Sequence, residues 1–191
     1  IKTNDNFFSK KNCLKIINVS RFTDQKDHMT LLKAFKIVEK FTPSKLLLIG
    51  YGAKKYAIID FIKKNQLQKN VKVIDFVFNP YKYMAKSDLF ILTSLYEGLP
   101  NVLLESMVLK KYIISSNCPT GPSEILDKGK YGDLFPIKNF RNLSKKILMY
   151  AKNKRKYKKK ILEAYKSLNR FDNNKNCKSY LIEVKKLMKI N

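Results

Sequence analysis

Short apolar runs rich in β-branched residues alternate along this chain with segments whose apolar residues return at helical spacing. That alternation constrains the fold more than any other feature. Leu14–Val19 opens it as a strand, and Leu31, Leu32, Phe35 and Val38 then mark an amphipathic helix from Asp27 to Phe41. Pro43 and Ser44 break that helix before the strand Leu46–Ile49, and Ile58, Ile59 and Ile62 mark a second helix. Val71–Val77 reads as a strand, and Pro80 opens a helical turn holding Tyr83 and Met84. Leu89–Leu92 is apolar at consecutive positions, as in a central parallel strand covered on both faces. Pro100 reads as the first residue of a helix running to about Val108. Ile113–Ser115, a short helix Ser123–Leu126 and an edge strand Asp133–Phe135 follow. Leu143, Ile147, Leu148 and Ala151 give a further amphipathic helix, and a last one runs from about Cys177 to Met188. The pattern predicts an α/β domain built on a doubly wound parallel sheet.

Composition narrows the function. The chain has 191 residues and a formal net charge of +25, so anions will feel its field. Its arginines are only Arg21, Arg141, Arg155 and Arg170, a poor supply for reading nucleic acid. Cys13, Cys118 and Cys177 are scattered with no C-x-x-C pair, which speaks against a disulfide scaffold or a zinc site. The only histidine, His28, reads as a helix-start residue, so a Cys118 nucleophile has no evident base.

In such sheets ligands bind beyond the carboxyl ends of the strands, and the unusual residues fall there. Ser20-Arg21-Phe22-Thr23-Asp24-Gln25-Lys26-Asp27 follows the first strand, and Arg21 and Lys26 can meet on one phosphate. As readily, they are solvated cations of a Lys-rich chain. Gly50-Tyr51-Gly52 marks a tight turn or a close approach; with Lys55 where a third glycine belongs, it is no dinucleotide fingerprint. The most informative stretch is Thr93 to Glu105. Glu97 and Gly98 lie on its loop, and the amides of Asn101, Val102 and Leu103 stand free at a helix start, ready for an anion. Glu105, one turn in, can accept from a vicinal diol such as a ribose, and Glu97 from a second sugar. A surface acid and a helix-dipole partner are the alternatives for this pair.

Taken in order, these segments resemble the C-terminal, nucleotide-sugar-binding half of a family-4 retaining glycosyltransferase of the GT-B fold. The resemblance runs from about Leu14 to Ala151. It rests on Ser20-Arg21 with Gln25-Lys26-Asp27, Gly50-Tyr51-Gly52, Asn79-Pro80-Tyr81, Ser87-Asp88-Leu89-Phe90 and the pair Glu97 and Glu105 with seven residues between them. Cys118-Pro119-Thr120-Gly121-Pro122-Ser123-Glu124 and Gly129-Lys130-Tyr131-Gly132 complete it. It implies a Rossmann-like sheet in which Arg21 and Lys26 hold the donor diphosphate, assisted by the Val102 and Leu103 amides. Glu105 would bind the ribose, Glu97 would orient the transferred sugar, and Gly50, Gly52, Val77, Gly98 and Asn101 would line the donor site. Catalysis would fall to Glu97, Arg21 and Lys26, with no metal or cofactor. Ser20, Asp75 and Tyr51 depart from the family's usual glycine, glycine and aspartate.

The implied organisation is a linker or lead-in segment over 1–12, a donor-binding domain over 13–170, and a helix over 171–191 that crosses to a missing N-terminal acceptor-binding domain. The implied partners are a nucleotide-sugar, most commonly UDP-linked, a glycan or lipid-linked acceptor, and an anionic membrane surface, but no nucleic acid. The expected location is cytoplasmic, at the inner face of the membrane. A non-catalytic nucleotide-sugar-binding module is the alternative.

Overall fold

Six parallel strands in the order β3-β2-β1-β4-β5-β6 form the sheet of the computed structural model, which describes residues 6–9 and 12–188. The strands are β1 (Leu14–Val19), β2 (Ser44–Ile49), β3 (Val71–Ile74), β4 (Leu89–Leu92), β5 (Tyr112–Ser116) and β6 (Asp133–Phe135). The helices between them are α1 (His28–Val38), α2 (Lys55–Lys64), α3 (Tyr81–Lys86), α4 (Asn101–Val108), α5 (Pro122–Ile125) and α6 (Phe140–Lys152). Then come α7 (Lys158–Lys166) and α8 (Asn173–Met188). Residues 1–5, 10 and 11 of the lead-in segment and 189–191 of the final one lie outside the described residues.

The side-chain period of two divides the core into two layers. Ile16, Leu46, Leu48, Leu89, Ile91 and Ile114 face α1, α2 and α6, while Ile17, Leu47, Phe90, Leu92 and Ile113 face α3, α4, α5 and α7. All four residues of β4 are buried, which is why that run shows no alternation. Phe8, in the lead-in segment, is buried in the second layer. Among the described residues no helix is long and apolar enough to cross a membrane.

Three expectations are corrected. The strand expected to reach Val77 ends at Ile74, where the last ladder bond runs from the Gly50 N–H to the Ile74 carbonyl. Asp75 is then drawn outward to Lys55, at 2.5 Å, and Val77 lies in a loop. Pro100 is the cap of α4, with extended ψ of 93°, and Asn101 is the first helical residue. The strongly basic segment Lys152–Lys160 contains the start of α7, whose Ala164 packs into the core. Four lysines in that helix's sequence hide its apolar spacing. The last helix starts at Asn173, and Tyr180, Leu181, Leu187 and Met188 lie exposed on it.

Candidate functional site

Between β1 and β4 the chain order of the sheet reverses, and the loops leaving these two neighbours meet over the gap. They are laced together. The Leu95 N–H donates to the Gln25 carbonyl at 2.7 Å, Gln25 Nε2 to the Tyr96 carbonyl at 2.9 Å, and Thr93 Oγ1 to the Lys26 carbonyl at 2.8 Å. The lacing brings Lys26 Nζ within 2.5 Å of Glu97 Oε1, with only 14% and 7% of the two side chains exposed. Ser94 Oγ donates to the same oxygen at 2.6 Å. The loop after β5 closes the third side. The Glu97 N–H donates to the Pro119 carbonyl at 3.3 Å, and Thr120 Oγ1 donates to the Glu97 carbonyl. A Cβ on Gly121 would stand 2.1 Å from the Gly98 carbonyl oxygen, so only glycine permits this approach.

Arg21 is exposed and, among the described residues, pairs with no carboxylate. It lines a cavity of about 330 Å³ together with Val19, Gly50, Tyr51, Phe76 and Val77. The two glycines of the Gly50-Tyr51-Gly52 turn answer to protein backbone. A Cβ on Gly50 would lie 1.9 Å from the Ser20 carbonyl oxygen, and one on Gly52 would lie 2.5 Å from that of Phe22. Gly98, in contrast, has nothing within 4 Å of such a Cβ.

At the start of α4 the Leu103 N–H donates back to the Pro100 carbonyl at 2.9 Å, and Leu103 is fully buried. Among the described residues the expected trio of free amides is therefore a pair, Asn101 and Val102. Glu105 is half-buried one turn on. Burial lifts its carboxyl above the ordinary carboxylate range, partly offset by a hydrogen bond with Tyr81. Cys118 is buried and its thiol is shifted upward by that burial, the wrong direction for a nucleophile.

The structure thus joins Lys26 to Glu97 directly and sets Arg21 in the wall of the cavity with Gly50 and Val77. Ser94, Gln25, Thr93, Thr120 and Tyr81 were missed, because single hydroxyls and amides at strand ends carry no spacing signal. Beneath Arg21, His28 Nε2 lies 3.1 Å from both Ser20 Oγ and Asn18 Oδ1. Burial, with help from the Lys26 ammonium, pulls the His28 pKa down to about 4. Among the described residues no three His, Cys, Asp or Glu gather into a group able to hold a metal ion.

A crevice at the switch point of a 3-2-1-4-5-6 sheet is where doubly wound α/β domains bind their ligands, and this one is edged with cations. Residues 2–183 match the family described as glycosyl transferases group 1, and the chain belongs to that family. An uncharacterized glycosyltransferase of Methanocaldococcus jannaschii is 38% identical over 138 residues, 65% of this chain and 34% of the relative. A Campylobacter jejuni relative is 30% identical over 171 residues, 87% of this chain and 46% of its own. Its name is N-acetylgalactosamine-N,N'-diacetylbacillosaminyl-diphospho-undecaprenol 4-alpha-N-acetylgalactosaminyltransferase. The solved structure of Anabaena HepE in complex with UDP superposes with a TM-score of 0.79 at 21% identity, over 88% of this chain and 49% of that one. A glycosyltransferase from Rickettsia africae gives 0.81 at 22% identity, over 95% and 50%. The fold is that of one half of a GT-B glycosyltransferase, and the chain spans between a third and a half of these relatives' length.

Proposed function

We propose that this chain is the donor-binding half of a hexosyltransferase. It takes a UDP-sugar and transfers the sugar, with retention and without a bound metal, to a glycan or lipid-linked acceptor in surface polysaccharide assembly. The finer family-4 class belongs to this proposal too. The observation that carries it is the switch-point junction: Arg21 on a cavity wall with no carboxylate partner among the described residues, a shielded Lys26–Glu97 pair, and the Asn101 and Val102 amides at the start of α4. The undecaprenol-linked substrate in the name of the Campylobacter jejuni relative supports a lipid-linked acceptor, and the UDP held by HepE supports the nucleotide.

In this reading the cavity beside Val77 and Phe76 takes the base, and Glu105 accepts from the ribose hydroxyls. Arg21, Lys26 and the Asn101 and Val102 amides face the diphosphate. Negative charge grows on the leaving diphosphate as the glycosidic bond breaks, so fixed cations and amides lower the barrier electrostatically. Glu97 orients the transferred sugar, its carboxylate already held by Lys26 and Ser94. A separate acceptor-binding domain, reached by α8, completes the cleft at the cytoplasmic face of the membrane, whose anionic surface the +25 charge favours.

Calorimetry with UDP and with a panel of UDP-sugars tests this. Glu105→Gln should weaken both ligand types about tenfold or more, since a hydrogen bond to a charged acceptor is worth roughly 1.5–3 kcal/mol. Glu97→Gln should spare UDP and weaken only the sugar nucleotide. A wild type that binds neither ligand, or equal weakening of UDP by both substitutions, overturns the assignment.

A further inference from the structure

The one histidine of the chain is buried below the cation loop, and it grips that loop on both sides of Arg21. On one side, Ser20 Oγ lies 3.1 Å from His28 Nε2 and donates at 2.8 Å to Asn18 Oδ1, which also lies 3.1 Å from the imidazole nitrogen. On the other side, the Phe22 ring meets the imidazole edge-on with centroids 5.1 Å apart. Both flanking groups are tied onward. Asn18 Nδ2 donates to the Ile91 carbonyl of β4 at 2.8 Å, the Phe22 N–H to the Tyr51 carbonyl at 2.6 Å, and the Lys54 N–H to the Phe22 carbonyl at 2.9 Å.

The chemistry of the triangle fixes the tautomer. Asn18 has its amide nitrogen committed to β4, so its Oδ1 faces the ring as an acceptor, and Nε2 must carry the proton. Nδ1 is then a bare lone pair, and it is buried with no partner among the described residues. A second proton on the ring would find no acceptor there. The imidazole is 3% exposed, and the same burial, with Lys26 nearby, keeps it neutral. A neutral, single-donor imidazole is thus the keystone of the loop that carries both cations.

We infer that His28 is a positioning residue for the donor site: through Ser20, Asn18 and Phe22 it holds the backbone on either side of Arg21, so that the guanidinium is aimed before a nucleotide arrives. The inference rests on the proposed nucleotide site for its binding readout, but not for its second one. Preorganisation of this kind matters because a cation on a loose loop must be ordered at the moment of binding.

The test uses the full chain with His28→Leu, His28→Gln, Arg21→Ala and the double variant His28→Leu/Arg21→Ala. His28→Leu keeps the packing and loses the donor; His28→Gln returns an N–H near the place of Nε2. UDP affinity should fall about tenfold in His28→Leu and return to within about threefold in His28→Gln. In the Arg21→Ala background the same His28→Leu change should cost little more, because its effect runs through Arg21. A purely structural role would cost the same in both backgrounds, and that result overturns the inference. Amide hydrogen exchange is the second readout: residues 20–26 should exchange faster in His28→Leu while β2 and β5 stay protected. Unchanged exchange of 20–26 overturns it as well. A wild type that binds no UDP sinks the nucleotide reading, and the exchange result then decides the positioning role alone.

Discussion

Removing either partner of the Lys26–Glu97 pair should destabilise the fold measurably, and removing both should cost less than the two losses added. The two charged atoms are 2.5 Å apart and their side chains are 14% and 7% exposed. That takes the pair out of the surface class, which is worth about 0–1 kcal/mol. Lys26→Met leaves the Glu97 carboxylate with only the Ser94 hydroxyl on its Oε1, and stranding a shielded charge costs about 3 kcal/mol. Glu97→Gln keeps an oxygen for Lys26 and Ser94 to donate to, so its cost should be smaller, about 1–2 kcal/mol. The coupling from the double-mutant cycle should be about 1.5–3 kcal/mol, the range for hydrogen bonds to charged groups. Equilibrium urea unfolding of the four proteins at low and high salt measures it. A coupling below about 0.5 kcal/mol, or one that vanishes at high salt, refutes the claim that water is excluded from this junction.

Stability should also depend on pH through His28. Its pKa is about 4 in the fold against an ordinary 6.5, so between those values the unfolded chain binds the proton that the native state refuses. The His28 contribution is therefore full above about pH 6.5 and declines toward pH 4, by about 3 kcal/mol in all. Urea midpoints of wild type and His28→Gln across that window should converge as the pH falls; parallel curves sink the argument. Gly50→Ala should cost about 1–3 kcal/mol or more, since its Cβ meets the Ser20 carbonyl at 1.9 Å, while Gly98→Ala should unfold like wild type. Thermal melts of the two decide whether the close approach is real. Finally, UDP affinity should be the same with and without EDTA, and an absolute Mg²⁺ requirement would end the metal-free reading.

The sheet was legible because β strands buried on both faces write themselves as unbroken runs, as Leu89–Leu92 does. The loops that carry Arg21, Lys26 and Glu97, and the helix start that precedes Glu105, were legible for a related reason: they interrupt those runs with charge, Gly and Pro. What did not show is decided by contacts between distant segments. Val77 fell out of its strand because Asp75 is pulled to Lys55, twenty positions back, which no local pattern records. Leu103 lost its free amide to a tightened first turn, a matter of the Pro100 backbone angle. α7 hid behind lysines, since only Ala164 of its residues is fully buried. His28 looked like an ordinary first residue of a helix, and its partners Asn18 and Ser20 lie ten and eight positions back, in β1 and just after it.

The seam under the site also has a bearing on cooperativity. β1 pairs with β2 over six residues but with β4 over only two, Ile16 with Leu89 and Ile17 with Phe90. Each side of that seam is a contiguous stretch of chain: β1 to β3 come from 14–74 and β4 to β6 from 89–135. The shortest ladder in the middle of the sheet therefore divides it into two sequential subunits of structure, and partial opening should begin between them. A ligand that touches both the Arg21 loop and the Thr93–Glu105 segment acts as a clasp across the joint. At a hundredfold excess over its Kd such a ligand adds about 2.7 kcal/mol to the closed state. Such a ligand would then help to hold the sheet together as well as occupy its site, and the first amides to gain protection on binding would be those of Ile17 and Phe90.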